Sequence, residues 1–179
     1  MVITMAFSLE PDLVKGSKPE ETLKNSLLQE LMEALTQAQQ EEVIEEFFIL
    51  PDFGFDLAVF VLQDGIMRSR FLNMKIYSGS RPRTVDIGDQ KGSGNEMELL
   101  LLNKSRIAMA DGAFRWVLCD ITKQKGNRRF SIFSPEQAKE GLFDGLNKKK
   151  QNSVKVGSVM TFPLTWDDLS EHILSFLTS

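Results

Sequence analysis

Three polar residues set in apolar strand-like runs are the part of this sequence best suited to chemistry. Asp56 opens the run over residues 55–62, and Asn73 and Lys75 stand near the end of the run over 70–77. An acid and a lysine delivered to one neighbourhood by two strands look like a metal-dependent phosphodiesterase site. Residues two apart in a strand share a face, so Asn73 and Lys75 are expected to point the same way while Met74 faces the core. An aspartate at the head of so apolar a strand is costly to bury unless it is paired or coordinated. The plain alternative is an ordinary charged pair, with Asp56 capping a turn and Lys75 laying its stem along a sheet edge.

The elements that must position these residues follow from spacing. Ser17, Pro19, Glu20 and Glu21 supply an N-cap, a first-turn proline and early acids, which predicts a helix running to about residue 39. Leu23, Leu27, Leu31 and Leu35 form its apolar stripe. Three strands are predicted over 43–50, 55–62 and 70–77, joined by turns at 51–54 and 63–65, and connections this short imply an antiparallel meander. A polar loop over 78–94, longer than most connections, leads to a helix predicted over 96–110 and capped by Asn95. A fourth strand over 114–121 completes a right-handed crossover that sets it parallel to the third. Then come a fifth strand over 128–133, a short helix opened by Ser134 and Pro135, and a last helix opened by Thr165 that carries Trp166, Leu169, Ile173 and Phe176. That last helix either closes the domain or pairs two subunits as a homodimer. The expected class is α/β: a central mixed sheet of four to five strands flanked by helices, in a single domain of 179 residues.

Composition removes several function classes. One cysteine, Cys119, excludes an internal disulfide framework and a multi-cysteine zinc site, and its apolar setting predicts a core residue rather than a nucleophile. His172 is the sole histidine, expected on a helix surface, so triad and histidine-rich metal chemistries would have to be built around it. No apolar run reaches the roughly 18 residues that span a bilayer, and residues 1–9 lack the positive flank of a secretory signal. A soluble, cytoplasmic protein with no membrane partner is therefore expected. The net charge is −4, but it is unevenly spread. Residues 1–66 hold 3 Lys/Arg and 13 Asp/Glu, residues 67–150 hold 17 and 9, and residues 151–179 hold 1 and 3. A basic face able to meet a polyanion on an otherwise acidic protein is the functional reading, and solvated loops are the plain one.

The order helix, three-stranded meander, helix, strand, with an acid on the second strand and a lysine on the third, resembles the PD-(D/E)XK nuclease superfamily, the restriction-endonuclease-like fold. Holliday-junction resolvases and small archaeal or phage nucleases are the members it looks most like. The resemblance covers about residues 20–122 and rests on Phe55-Asp56-Leu57-Ala58 and Leu72-Asn73-Met74-Lys75. It implies a divalent-metal-dependent nuclease that hydrolyses DNA with Mg²⁺ or Mn²⁺, Asp56 holding the metal and Lys75 standing as the cation beside the attacking water. The sequence departs from the family where a second carboxylate should stand two residues before the lysine. Asn73 occupies that place and offers a metal one neutral oxygen. Either Asn73 serves as a weak ligand, or Glu96 or Glu98 takes over, or activity is lost. Family members also bring a glutamate from the first helix, for which Glu30 is preferred here over Glu33.

Arg81, Arg83 and Lys91 in the polar loop are candidate contacts to a nucleic-acid backbone, as are Arg128, Arg129 and Lys148 to Lys150. Gly92-Ser93-Gly94-Asn95 lacks the lysine of a phosphate-binding loop and reads as a flexible turn with a helix cap. A domain that keeps the fold without catalysis, binding nucleic acid or a protein partner, is the competing function.

Overall fold

The computed structural model describes residues 7–52, 55–87, 112–142 and 153–179. Helix α1 spans Pro19–Gln40. It is followed by β1 (Glu46–Pro51), β2 (Leu57–Gln63), β3 (Ile66–Tyr77), β4 (Thr84–Asp86), β5 (Phe114–Asp120) and β6 (Arg129–Phe133). Helix α2 (Pro135–Glu140), β7 (Ser153–Lys155), the single turn α3 (Val156–Val159) and α4 (Trp166–Thr178) complete the described chain. The helix predicted over 96–110, with Glu96, Glu98 and Lys91, and the basic run Lys148 to Lys150 lie outside the described residues.

The class is α/β. A five-stranded mixed sheet runs in the order β1-β2-β3-β5-β6, with β3 and β5 its one parallel pair. The meander forms as the spacing predicts: β1 pairs antiparallel with β2, and β2 with β3. Its second turn is the two-residue Asp64-Gly65, both at positive φ (53° and 70°), the conformation whose twist matches paired strands. The first two strands begin three and two residues later than predicted, at Glu46 and Leu57. Strand β3 begins at Ile66, four residues early, because that tight turn feeds directly into pairing. Part of the expected loop over 78–94 is instead β4, which pairs antiparallel with β7 in a separate two-stranded sheet. Ser17 does not cap α1; its hydroxyl bonds to the Val14 carbonyl, and Lys18 occupies the N-cap because Pro19 takes the first helical position.

Two cores sandwich the sheet. On one face the α1 stripe, Leu23, Leu27, Leu31 and Leu35, packs fully buried on Leu57, Val59, Val61, Leu72 and Met74. Each such leucine contributes about 1.5–3 kcal/mol by leaving water. Helix α4 covers the rest of this face with Leu169, Ile173 and Leu177, and Trp166 rests on Phe7 with ring centroids 4.8 Å apart. Of the two roles open to α4, it takes the first: its apolar stripe is buried inside its own chain. On the other face Phe114, Trp116, Leu118 and Phe133 meet Val85, Ile87, Val154 and Val156 from the β4-β7 layer. Cys119 lies fully buried in the first core, and burial pushes its thiol far up, which leaves it inert. His172 sits exposed on α4, its Nδ1 3.0 Å from the Asp168 carbonyl oxygen. Among the described residues, no helix is long and apolar enough to cross a membrane.

Candidate functional site

Asp56 stands where the β2-β3 ladder ends, and it continues that ladder with its side chain. The last paired residues are Leu57 and Leu72. Beyond them the Met74 N–H donates to Asp56 Oδ2 at 2.5 Å, while the Asp56 N–H donates to Asn73 Oδ1 at 2.9 Å. The two side chains thus replace two main-chain rungs and clasp the strands at the point where β2 turns away. Asp52 closes the preceding turn with its N–H on the Asp56 carbonyl, 3.1 Å. Asp56 is half-buried, and burial raises its pKa above the usual carboxylate range. The Met74 N–H and the charges of Lys75 and Lys24 pull it partly back.

This clasp borders a cleft of about 530 Å³ on the α1 side of the sheet, lined by Lys15, Lys18 and Lys24, by Glu20, Glu21 and Asp56, and by Ile76, Ser78 and Ile121 at the ends of β3 and β5. Lys24 was not foreseen as part of the site. It is only 5% exposed, and its Nζ donates to both Asp52 oxygens at 2.9 and 3.1 Å and lies 3.1 Å from Glu21. The Asp52 carboxylate raises its pKa further, so it stays a cation. The signal was legible: Lys24, Leu27 and Leu31 share the spacing of the buried stripe, and a lysine there must find acids.

The predicted site residues do not all converge. Leu72, Met74 and Ile76 of β3 face α1, so strand alternation puts Asn73, Lys75 and Tyr77 on the opposite face, level with Trp116, Leu118 and Asp120 of β5. Lys15, Lys18 and Lys24 line the cleft with Asp56, while Lys75, placed off that face by alternation, still acts on the Asp56 carboxylate, lowering its pKa more than Lys24 does. Glu30 turns toward the N-terminal segment, where both its oxygens accept from the Ser8 N–H at 3.1 Å and one also from the Ser8 hydroxyl at 2.5 Å. Glu33 accepts from Gln29 on the exposed side of α1. Among the described residues no three His, Cys, Asp or Glu side chains converge as a metal site would require. One Asp56 oxygen is bonded to Met74, the Asn73 oxygen holds the Asp56 N–H and Glu30 is held by Ser8, so these residues alone do not fit the ligand shell of a magnesium ion.

Arg83 belongs to a second cleft, of about 400 Å³, on the other side of the same sheet end. Arg83, Asp120, Lys123, Asn127 and Arg129 line it together with Val156, Gly157, Met160 and Pro163. The Arg83 Nη2 lies 2.8 Å from Asp120 Oδ2 and its guanidinium sits 5.2 Å over the Tyr77 ring, yet the side chain is 58% exposed. Asp120 is buried and also accepts from the Thr122 N–H and hydroxyl at 2.9 and 2.5 Å. Lys123 and Arg129 add two cations with no second acid in the lining. Arg81 is exposed beside Arg83. Arg128, grouped by sequence with Arg129 as a surface contact, is instead buried and bonds the carbonyls of Pro11 (2.7 Å) and Leu13 (3.0 Å).

Comparison with protein-family models and with curated proteins found no match.

Proposed function

We propose that the chain is a nucleic-acid-binding α/β domain of restriction-endonuclease-like design, which grips the phosphate backbone at the carboxyl end of β3 and β5. The observation that carries this reading is the charge of the second cleft: Arg83, Lys123 and Arg129 face a single acid, Asp120, which already accepts from Arg83 and from the Thr122 N–H and hydroxyl, and Arg81, two residues before Arg83, is exposed. Ligands of sheets with parallel strands bind beyond the carboxyl ends of those strands, and both clefts lie there. Phosphate contacts by Lys and Arg make affinity fall with salt, with a slope of about 0.9 per phosphate neutralised on duplex DNA. The test is DNA binding by fluorescence anisotropy between low and moderate salt. Replacing Lys123 and Arg129 by alanine should weaken binding and flatten the slope by roughly two phosphates' worth. Affinity indifferent to salt, or unchanged in the double variant, would overturn the reading.

Hydrolysis by a divalent-metal-dependent nuclease is the second reading, and one observation favours it. Asp56 borders an open cleft with one oxygen pledged to Met74, and burial holds its pKa above the ordinary range, as at sites where a carboxylate is poised for chemistry. This reading requires a further acid from beyond the described residues, with Glu96 the candidate. Cleavage of duplex, single-stranded and branched DNA in Mg²⁺ or Mn²⁺, lost in both Asp56→Asn and Glu96→Gln, would support it; activity persisting in Asp56→Asn would remove it. A homodimer would have to pair through a surface other than the α4 stripe, which is spent inside the chain.

A further inference from the structure

The second cleft carries more than charge. Val156, Met160 and Pro163 give it an apolar wall beside Arg83, Lys123 and Arg129. Between Met160 and Pro163 in the chain stands Phe162, which is 86% exposed, more than any other large apolar side chain among the described residues. A lone phenylalanine at a surface needs no explanation, so its setting has to supply one. The bend that presents it is pinned at both ends. On one side the Met160 N–H donates to the Val156 carbonyl at 2.9 Å, and the Val159 carbonyl accepts from the Ser131 hydroxyl. On the other, Leu164 exchanges both main-chain hydrogen bonds with Phe130, at 2.8 and 2.9 Å, and Phe130 follows the Arg129 of the cleft. A ring carried on so fixed a bend, at the apolar wall of the cleft, loses little freedom when a flat group stacks on it.

The two kinds of surface ask for two parts of one ligand. The cations suit phosphate oxygens, while the apolar wall and the ring suit a flat π-face on the same molecule. Duplex DNA offers the first and hides the second, because its base faces are stacked on one another. A cleft of about 400 Å³ is also on the scale of a small molecule rather than of a double helix. Unstacked bases on a charged backbone offer both parts. We infer that the cleft takes single-stranded nucleic acid, with a base stacked on Phe162 and neighbouring phosphates on Lys123 and Arg129. This rests on the nucleic-acid reading above and narrows it to one form of the polymer.

The test is fluorescence anisotropy on the full chain over a range of salt, with three labelled probes of equal length. These are an oligothymidylate, its duplex with oligoadenylate, and the same sugar-phosphate strand without bases. The oligothymidylate should bind about tenfold more tightly than either of the others, since stacking on an aromatic ring is worth about five- to a hundredfold per base. Phe162→Ala should lose about that tenfold and keep the salt slope, because the ring neutralises no phosphate. Phe162→Trp, which retains a stacking face, should restore the affinity. The side chain is exposed, so an unchanged melting temperature shows that each variant is folded. Failure takes two separable forms. Oligothymidylate bound no better than the duplex or the baseless strand, or bound in full by Phe162→Ala, while the Lys123 and Arg129 double variant still flattens the salt slope, overturns the single-strand assignment and leaves nucleic-acid binding standing. Affinity indifferent to salt for every probe overturns both.

Discussion

The two clefts at the carboxyl end of β3 and β5 lie on opposite faces of one sheet and spend their charge differently. On the α1 side three lysines meet three acids, and the buried members are tied down: Lys24 to Asp52 and Glu21, Asp56 to Met74 and Asn73. Across the sheet Arg83, Lys123 and Arg129 meet one acid that already serves Thr122. A balanced, bonded cluster fixes the backbone; a surplus leaves charge to be neutralised by something else. The neighbours Arg128 and Arg129 show the same divide within one strand entry, the first turned inward onto main-chain carbonyls and the second outward into the cleft.

The largest effect should come from the committed member of that pair. Arg128→Met removes a buried guanidinium and strands Glu10 and two carbonyls, for a loss of about 3–5 kcal/mol in urea unfolding, whereas Arg129→Met should leave the midpoint nearly unmoved. Equal losses would erase the contrast. Next, Asp56→Ala breaks the clasp and leaves the Met74 N–H without its acceptor, which should cost about 1–3 kcal/mol.

Asp56→Asn sharpens the comparison further, because an amide oxygen can keep the Met74 bond without the charge. The folded pKa of Asp56 is raised, so the folded chain holds that proton more tightly than the unfolded one. Stability from this group is present below the unfolded value of about 3.9 and is lost as pH rises through the folded value. The asparagine variant escapes that loss. Its stability relative to the unaltered chain should therefore improve from about pH 4 upward, read as urea midpoints across pH 3.5 to 7; a difference that ignores pH would show that Asp56 pays no cost for ionising. The smallest stability effect belongs to Lys123→Ala, which should leave the melting temperature unchanged while weakening salt-sensitive DNA binding.

The architecture was largely legible because its signals are local and periodic. The leucine stripe of α1, the Asp64-Gly65 turn and the capping boxes at Ser134 and Thr165 each predict their element, and each is present. The strand alternation of Asn73, Met74 and Lys75 was equally readable, with Met74 buried in the core. The sheet plane could not be read the same way. Asp56 precedes the first paired residue of β2, so period-two reasoning does not govern its side chain, which lies at the ladder's end, accepts from the Met74 N–H and borders the α1-side cleft. Nor do residue types disclose that Arg128 and Arg129 part ways, since that depends on the N-terminal segment lying against the β5-β6 turn, where the Gly126 N–H meets Glu10 at 2.7 Å. Strand β4 was missed for a similar reason. Three residues are too few to show alternation, and their partner is nearly seventy positions away.

The contact of Phe7 with Trp166 has a consequence for synthesis. The described chain's earliest aromatic ring finds its seat only on a helix translated some 160 residues later, and that same helix supplies the lid over half of the sheet. A nascent polypeptide still lacking α4 leaves apolar side chains of that sheet face uncovered, and exposed apolar surface of this kind is what makes folding intermediates prone to aggregate.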